Sequence, residues 1–286
     1  MVDFDGALDQ LPSPGQPGPD QTRLALLGAG RMGQAIIAGL RASGWRASRI
    51  VAAEPDAATA REVAARHGIE VRAARDAVAD ADIVVVAVKP HHVTGVLDEV
   101  APALPTGAVV VCIAAGVSTG TLAEHVPGGT PVVRVMPNTP ALVGMGMSVL
   151  SAGPGCPPQA VALAREVLAA VGEVREVVES EQDAVTAVSG SGPAYVFYLA
   201  QAMIDNGADL GLDRALARDL TVQTLLGAAT MLASCADDPE VLRAHVTSPG
   251  GTTAAAVTVL EDAGVRATVG RAMRACAERS AELGRP

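Results

Sequence analysis

Aromatic side chains are nearly missing from this chain, with one Trp, two Tyr and two Phe among 286 residues. Its cores and contact surfaces must therefore be built from small and branched aliphatic residues. Lysine is scarcer still, since Lys89 is its single occurrence. The four cysteines, Cys112, Cys156, Cys235 and Cys276, lie far apart and form no Cys-x-x-Cys pair. That spacing argues against a zinc site and a disulfide framework, so no metal is expected, and a reducing cytoplasm fits. The longest apolar run, residues 108–117, falls far short of the roughly 20 residues a membrane span needs. Positive charge is also lacking, and a formal net charge of −10 argues against nucleic acid or an anionic membrane as partner. A small anionic substrate is untouched by that argument, because it responds only to its own pocket. The acidic N-terminus has no basic n-region, so a secretory signal is not expected.

What is present points to two domains, the natural division for a chain of 286 residues. Residues 1–21 interleave Pro12, Pro14, Pro17 and Pro19 with glycines and show no apolar periodicity. They are expected to form a disordered leader. Residues 22–179 read as an α/β domain and 180–286 as an all-α domain.

The first domain opens with a buried strand over 24–27, then Gly28-Ala29-Gly30-Arg31-Met32-Gly33, then a helical run over 34–42 that Gly44 ends. Strand, glycine turn and helix are the context the dinucleotide fingerprint requires. Gly28 permits the turn, Gly30 lets a pyrophosphate approach the backbone, and Gly33 lets the helix pack on its strand. The next strand, 49–53, ends at Glu54, about 20 residues beyond the fingerprint, where an acid takes the ribose hydroxyls. A carboxylate there repels a 2′-phosphate by about 4 kcal/mol at an effective dielectric near 20 and ~4 Å. Glu54 thus points toward NADH while Arg31, inside the turn, offsets it, and the cofactor stays open between NADPH and NADH.

Residues 83–88 form a continuous β-branched run of the kind found in parallel sheets covered on both faces. It breaks at Lys89-Pro90, which puts Lys89 at a carboxyl end, either as a ligand contact or as a solvated stem. A strand over 108–113 leads into the small-residue edge Ala114-Ala115-Gly116, able to lie against a flat ring. Asn138 follows the strand 131–136, as a turn residue or as a hydrogen-bond partner for a carboxamide or substrate. Strand, helix and strand over 147–150, 159–171 and 173–178 complete the domain.

From Ser180 the pattern turns helical, opened by a capping signal in Ser180 and Asp183. The helical run breaks at Ser189-Gly190-Ser191-Gly192-Pro193 and resumes over 194–206, 213–233, from 240, and over 266–283. These helices are rich in Ala and poor in charge, so a single copy could hardly cover them, and an intertwined dimer is expected. Within them stands Val246-Thr247-Ser248-Pro249-Gly250-Gly251-Thr252-Thr253, with a helix expected from Thr252. Free N–H groups at that start, with the hydroxyls, suit a small carboxylate or phosphate. Ser248 and the Gly250, Gly251 and Thr252 amides are the donors expected for a carboxylate.

A fingerprint and an anion cradle together imply hydride transfer to a small acid. Reducing a carbonyl needs a proton donor at oxygen, usually His or Lys, yet beyond Ser180 there is no lysine and only His245. A protonated cyclic imine needs mainly orientation, with one hydroxyl near nitrogen, which Thr252 or Thr253 supplies.

The blocks around residues 28–33, 87–90, 114–117, 136–140, 183–186, 189–195 and 246–261 resemble, in this order, the Δ1-pyrroline-5-carboxylate reductase family. The resemblance implies a Rossmann domain followed by a helical dimerisation domain, with homodimers often assembled as decamers of five dimers. It implies reduction of pyrroline-5-carboxylate to L-proline by NADPH or NADH, between the cofactor domain of one subunit and helices of its partner. By position, Gly28, Ala29, Gly30, Arg31, Met32 and Gly33 bind the pyrophosphate, and Val88, Lys89, Pro90, Ile113, Ala114 and Ala115 flank the cofactor. Asn138 lies near the nicotinamide. Ser248, Gly250, Gly251, Thr252 and Thr253 take the substrate carboxylate, with Thr253 nearest the ring nitrogen as the catalytic candidate, and Glu179 contacts substrate or product. The chain departs from the family at Glu54, where many relatives carry a small hydroxyl residue, and at Ala236, where some carry an acid. A β-hydroxyacid dehydrogenase, which shares the architecture, uses a lysine in its helical domain that this chain lacks. A non-catalytic nucleotide-binding regulator on the same fold would have no reason to keep the cradle.

Overall fold

The computed structural model describes residues 21–284, so the proline-rich leader lies, but for Gln21, outside the described residues. The described residues divide into two compact units, one of residues 21–190 with 278–284, the other Ser191–Ala277.

The first unit is an eight-stranded sheet in the order β3-β2-β1-β4-β5-β6-β7-β8. The strands are β1 (Leu24–Leu27), β2 (Ile50–Ala53), β3 (Glu70–Val71), β4 (Ile83–Val86), β5 (Val109–Cys112), β6 (Val132–Met136), β7 (Gly146–Ala152) and β8 (Gly172–Glu176). Every pair is parallel except β6 with β7. β1, β4 and β5 are buried along their whole length, as expected of central parallel strands whose side chains all meet a covering layer. The chain runs outward from β1 through β2 to β3, then crosses back to β4 on the other side of β1. That reversal creates the crevice at the carboxyl ends where such sheets bind ligands.

Helices α1 (Arg31–Ala42), α2 (Ala57–His67), α3 (Ala74–Val78), α4 (Val93–Val100), α5 (Thr119–Glu124) and α6 (Pro158–Ala169) lie between the strands. One buried cluster joins Leu26, Ile36, Leu40 and Ile83 to Leu168 on one face, and another joins Leu27, Val84, Leu97 and Leu122 on the other. α2 shows why the ends fall where they do. The Asp56 carboxylate accepts from the Thr59 N–H at its start, which holds that carboxyl below its usual range, and Gly68 closes it in the left-handed region at φ 67°.

Ser180 does not cap a helix. It lies in a 3-10 turn over Glu179–Glu181, and the short α7 (Gln182–Val185) follows without a side-chain cap. Asp183 instead accepts from the Ser280 hydroxyl at 2.7 Å. The fully buried Gln182 donates from Nε2 to the Val149 carbonyl and the Ser151 hydroxyl, so the segment past residue 179 is tied to β7. The expected break at residues 189–193 falls at Ser191, a bend that separates a π-helical turn over Thr186–Gly190 from α8 (Gly192–Asp209). A Cβ on Gly190 would stand 2.2 Å from Met136 Cε, so this glycine makes room for a side chain of β6.

The second unit consists of α8, α9 (Arg214–Ser234), α10 (Pro239–His245), α11 (Thr252–Asp262) and most of α12 (Val265–Leu283). α8 and α9 pair as an antiparallel hairpin-like couple around Gly207 and Ala217. Among Ser191–Ala277 only Ala217 and Thr221 are buried.

Candidate active site

The glycine turn follows β1 because three positions there tolerate no side chain or leave room for a ligand. Gly28 adopts φ +93°, and a Cβ on it would stand 2.9 Å from Val88 Cγ1. Gly33 passes so close to β1 that a Cβ would meet the Gly28 carbonyl oxygen at 2.5 Å and Leu26 Cδ2 at 2.9 Å. Beside Gly30 nothing lies within 4 Å. Gly30 is also the N-cap of α1, which has no side-chain cap, so the first N–H groups of that helix have no partner within it. Arg31 and Met32 open the helix, with Arg31 exposed.

Glu54 closes the turn from β2. Its carboxylate accepts from the Ala29 N–H at 2.8 Å and from the Asp56 N–H at 3.0 Å. Gln34 donates to the Ala29 carbonyl at 3.0 Å and accepts from Arg66 Nη1 at 3.0 Å. A cavity of about 530 Å³ opens here, lined by Gly28, Glu54, Arg72, Val88, His91 and His92 among others. Arg72 follows β3, and the two histidines sit in the 3-10 turn Pro90–His92 after β4. Sequence reasoning missed these three, although each stands past a strand's carboxyl end; that those ends line one cavity depends on the order of strands in the sheet, which no local pattern shows. Lys89 begins that 3-10 turn, exposed and outside the cavity lining.

Ile113 and Ala114 are buried after β5, and Ala115 partly so. The edge they begin is not wholly open, because the end of α12 returns to it. Gly116 has φ +79°, and a Cβ there would lie 3.2 Å from Leu283.

Asn138 and Glu179 both have partners within the first unit. Asn138 Oδ1 accepts from the Met147 N–H at 2.9 Å, and its Nδ2 donates to the Ser189 carbonyl and hydroxyl at 3.3 and 3.4 Å. It fastens the end of β6 to β7 and to the π-helical turn. Glu179 accepts from the Thr119 N–H at 2.7 Å and from the Thr119 hydroxyl, and pairs with Arg134 at 3.3 Å. A carboxylate at the start of α5 is favoured by that helix's free N–H groups.

In the second unit, residues 246–253 form a connected turn between α10 and α11. Thr247 donates from its hydroxyl to the Arg243 carbonyl at 2.6 Å, which ends α10. Gly250 takes φ +72°, and the Gly251 N–H donates to the Ser248 carbonyl at 3.0 Å. A Cβ on Gly251 would stand 2.7 Å from Ser248 Oγ, so the glycine lets that hydroxyl fold in against the helix start. Gly251 is the N-cap of α11, and no side chain caps the helix. The N–H groups of Thr252, Thr253 and Ala254 therefore have no partner within the helix. Ser248, Gly250, Gly251, Thr252 and Thr253 lie in this one turn of the second unit, whereas Glu179 belongs to the other unit.

The comparisons with known proteins bear on both units. Residues 179–283 match the family described as pyrroline-5-carboxylate reductase dimerisation, and residues 23–116 match NADP oxidoreductase, coenzyme F420-dependent. A pyrroline-5-carboxylate reductase of Corynebacterium melassecola is 42% identical over 92% of this chain and 99% of its own. That of Pseudomonas aeruginosa is 46% identical over 91% of this chain and 96% of its own. Among solved structures, one from Coxiella burnetii superimposes with a TM-score of 0.88 at 34% identity, covering 93% of this chain and 99% of that one. A Plasmodium falciparum pyrroline carboxylate reductase with NADP bound gives a TM-score of 0.82 at 29% identity, over 92% and 98%.

Proposed function

The chain belongs to the pyrroline-5-carboxylate reductase family, and from that premise we propose how its residues carry the reaction. It is an NAD(P)-dependent oxidoreductase that reduces Δ1-pyrroline-5-carboxylate to L-proline, the last step of proline biosynthesis. The observation that carries the residue assignments is the uncapped start of α11 with Ser248 folded against it.

The glycine turn fits NADPH or NADH. The open space beside Gly30 suits a pyrophosphate, and the cavity at Glu54 and Arg72 suits the adenosine half. When bound, the dinucleotide supplies a hydride, and the remaining tasks fall to the protein. Val88, Lys89, Pro90, Ile113, Ala114 and Ala115 border the nicotinamide side of the crevice. Asn138, locked by three hydrogen bonds, holds the end of β6 in place near that side.

The substrate carboxylate binds the Thr252 and Thr253 amides with Ser248, Gly250 and Gly251 around it. Each charge-assisted hydrogen bond is worth about 1.5 to 3 kcal/mol, so several hold the acid without a cation. The Thr253 hydroxyl meets the ring nitrogen and orients the protonated imine, whose carbon is electrophilic on arrival. Catalysis is then mainly placement. Glu179 keeps the substrate side in shape through Thr119 and Arg134. The functional unit is a homodimer, five of which form a decamer, and its four free cysteines suit the cytoplasm.

The test is loss of reduced-nicotinamide absorbance with pyrroline-5-carboxylate, NADPH and NADH being run side by side. Thr253→Val is expected to lower kcat at least about tenfold while moving the dinucleotide KM less than about twofold. An unchanged kcat would remove Thr253 from its role.

A further inference from the structure

On the first unit, toward the amino ends of the strands, lies a second cavity of about 340 Å³ that the reaction does not use. Four arginines line it: Arg23 just before β1, Arg46 and Arg49 from the 3-10 turn region before β2, and Arg72 after β3. Ser48 adds a hydroxyl, and Asp80 is the only acid among the described residues of the lining. Asp80 is bridged by Arg23 at 3.2 Å, Arg72 pairs with Glu70 outside the lining, and Arg46 has a partner of its own. Four arginines from three separate stretches thus line one hollow, in a chain whose formal charge is −10.

We propose that this cavity binds a small diphosphate-bearing anion and that its occupancy weakens dinucleotide binding. Guanidinium forks match phosphate oxygens in pairs, and one carboxylate would engage only one of the four forks. The hollow has room for more than a single phosphate. Its link to the reaction is Arg72, which lines both this cavity and the one at Glu54. An anion that draws the Arg72 guanidinium toward the arginine cavity withdraws positive charge from beside Glu54. The KM for dinucleotide rises in consequence, most for NADPH with its extra phosphate, and kcat stays where it was.

The experiment titrates full-length enzyme, saturated with NADH, with inorganic pyrophosphate in a calorimeter, against sodium chloride of equal ionic strength. Saturation with NADH keeps pyrophosphate off the glycine turn. Saturable binding at one site per subunit, weakened at least about tenfold in Arg49→Glu and less in Arg49→Gln, is expected. Both variants should keep the wild-type kcat, which also certifies that they fold. Pyrophosphate should raise the NADPH KM of the wild type and not of Arg49→Glu. ADP in place of pyrophosphate separates the two sources of a diphosphate: tighter binding assigns a nucleotide, equal binding the diphosphate alone, and either supports the site. No saturable binding, or equal binding to wild type and both variants, overturns the proposal.

Discussion

Glu54 is held by two backbone N–H groups, those of Ala29 and Asp56, and so cannot swing away from the mouth of the adenosine cavity. A fixed carboxylate there disfavours a 2′-phosphate, while Arg72 in the same lining works the other way. Replacing Glu54 with Ser is expected to shift the ratio of kcat/KM for NADPH over NADH upward by at least about tenfold. An unmoved ratio would mean that Glu54 serves the turn and does not face the ribose. A second residue gives a pH prediction. Burial pushes the Cys112 thiol up to about 11, above its unfolded value. The unfolded chain then loses its proton first, so this group's contribution is complete below the unfolded pKa and disappears as pH rises through about 11. Between pH about 8.5 and 11, urea midpoints of the wild type should fall further than those of Cys112→Val. In native protein the exposed Cys235 should react with a thiol reagent at pH about 8, and the buried Cys112 only after unfolding.

At the scale of elements, the contact between α1 and β1 depends on Gly33. A Cβ at 2.5 Å from the Gly28 carbonyl cannot be absorbed by a side-chain rotation, so the helix start and the turn must move together. Gly33→Ala is expected to cost about 1 to 3 kcal/mol in urea unfolding and to weaken nucleotide binding in the same variant. Equal stability with intact binding would show that α1 can ride over the strand freely. The same scale shows why some elements escaped the sequence. The runs that became β1, β4 and β5 were visible because buried parallel strands are apolar throughout. α3 and α5, with five and six residues, are too short to display a helical period. The break read at residues 189–193 is there, at Ser191, but the room that Gly190 makes for Met136 left no mark in the pattern, because it depends on a strand far earlier in the chain.

For the whole molecule, the helical unit presents Phe197, Tyr198, Leu210 and Leu226 at 66%, 78%, 87% and 58% exposure. A unit with two buried residues has no core of its own to stabilise it, and apolar surface of this kind marks an association face. Phe197→Asp is expected to move the enzyme in light-scattering chromatography toward a smaller species and to lower its melting temperature by several degrees. An unchanged mass would place Phe197 outside the interface.

The sequence by itself determined the features that depend on local pattern: the glycine turn after an apolar strand, the acid after the second strand, and the helix start at Thr252. Each follows from what a backbone can do with glycine, proline or a β-branched run, whatever surrounds it. Only the tertiary structure decided where long-range partners fall. It tied Glu179 to Thr119 and Arg134, Asn138 to Met147 and Ser189, and Asp183 to Ser280. It also gathered Arg23, Arg46, Arg49 and Arg72 around one hollow. Hydrogen bonds and charges act over a few ångströms of space, and residues brought that close by the order of strands in a sheet carry no mark of it along the chain.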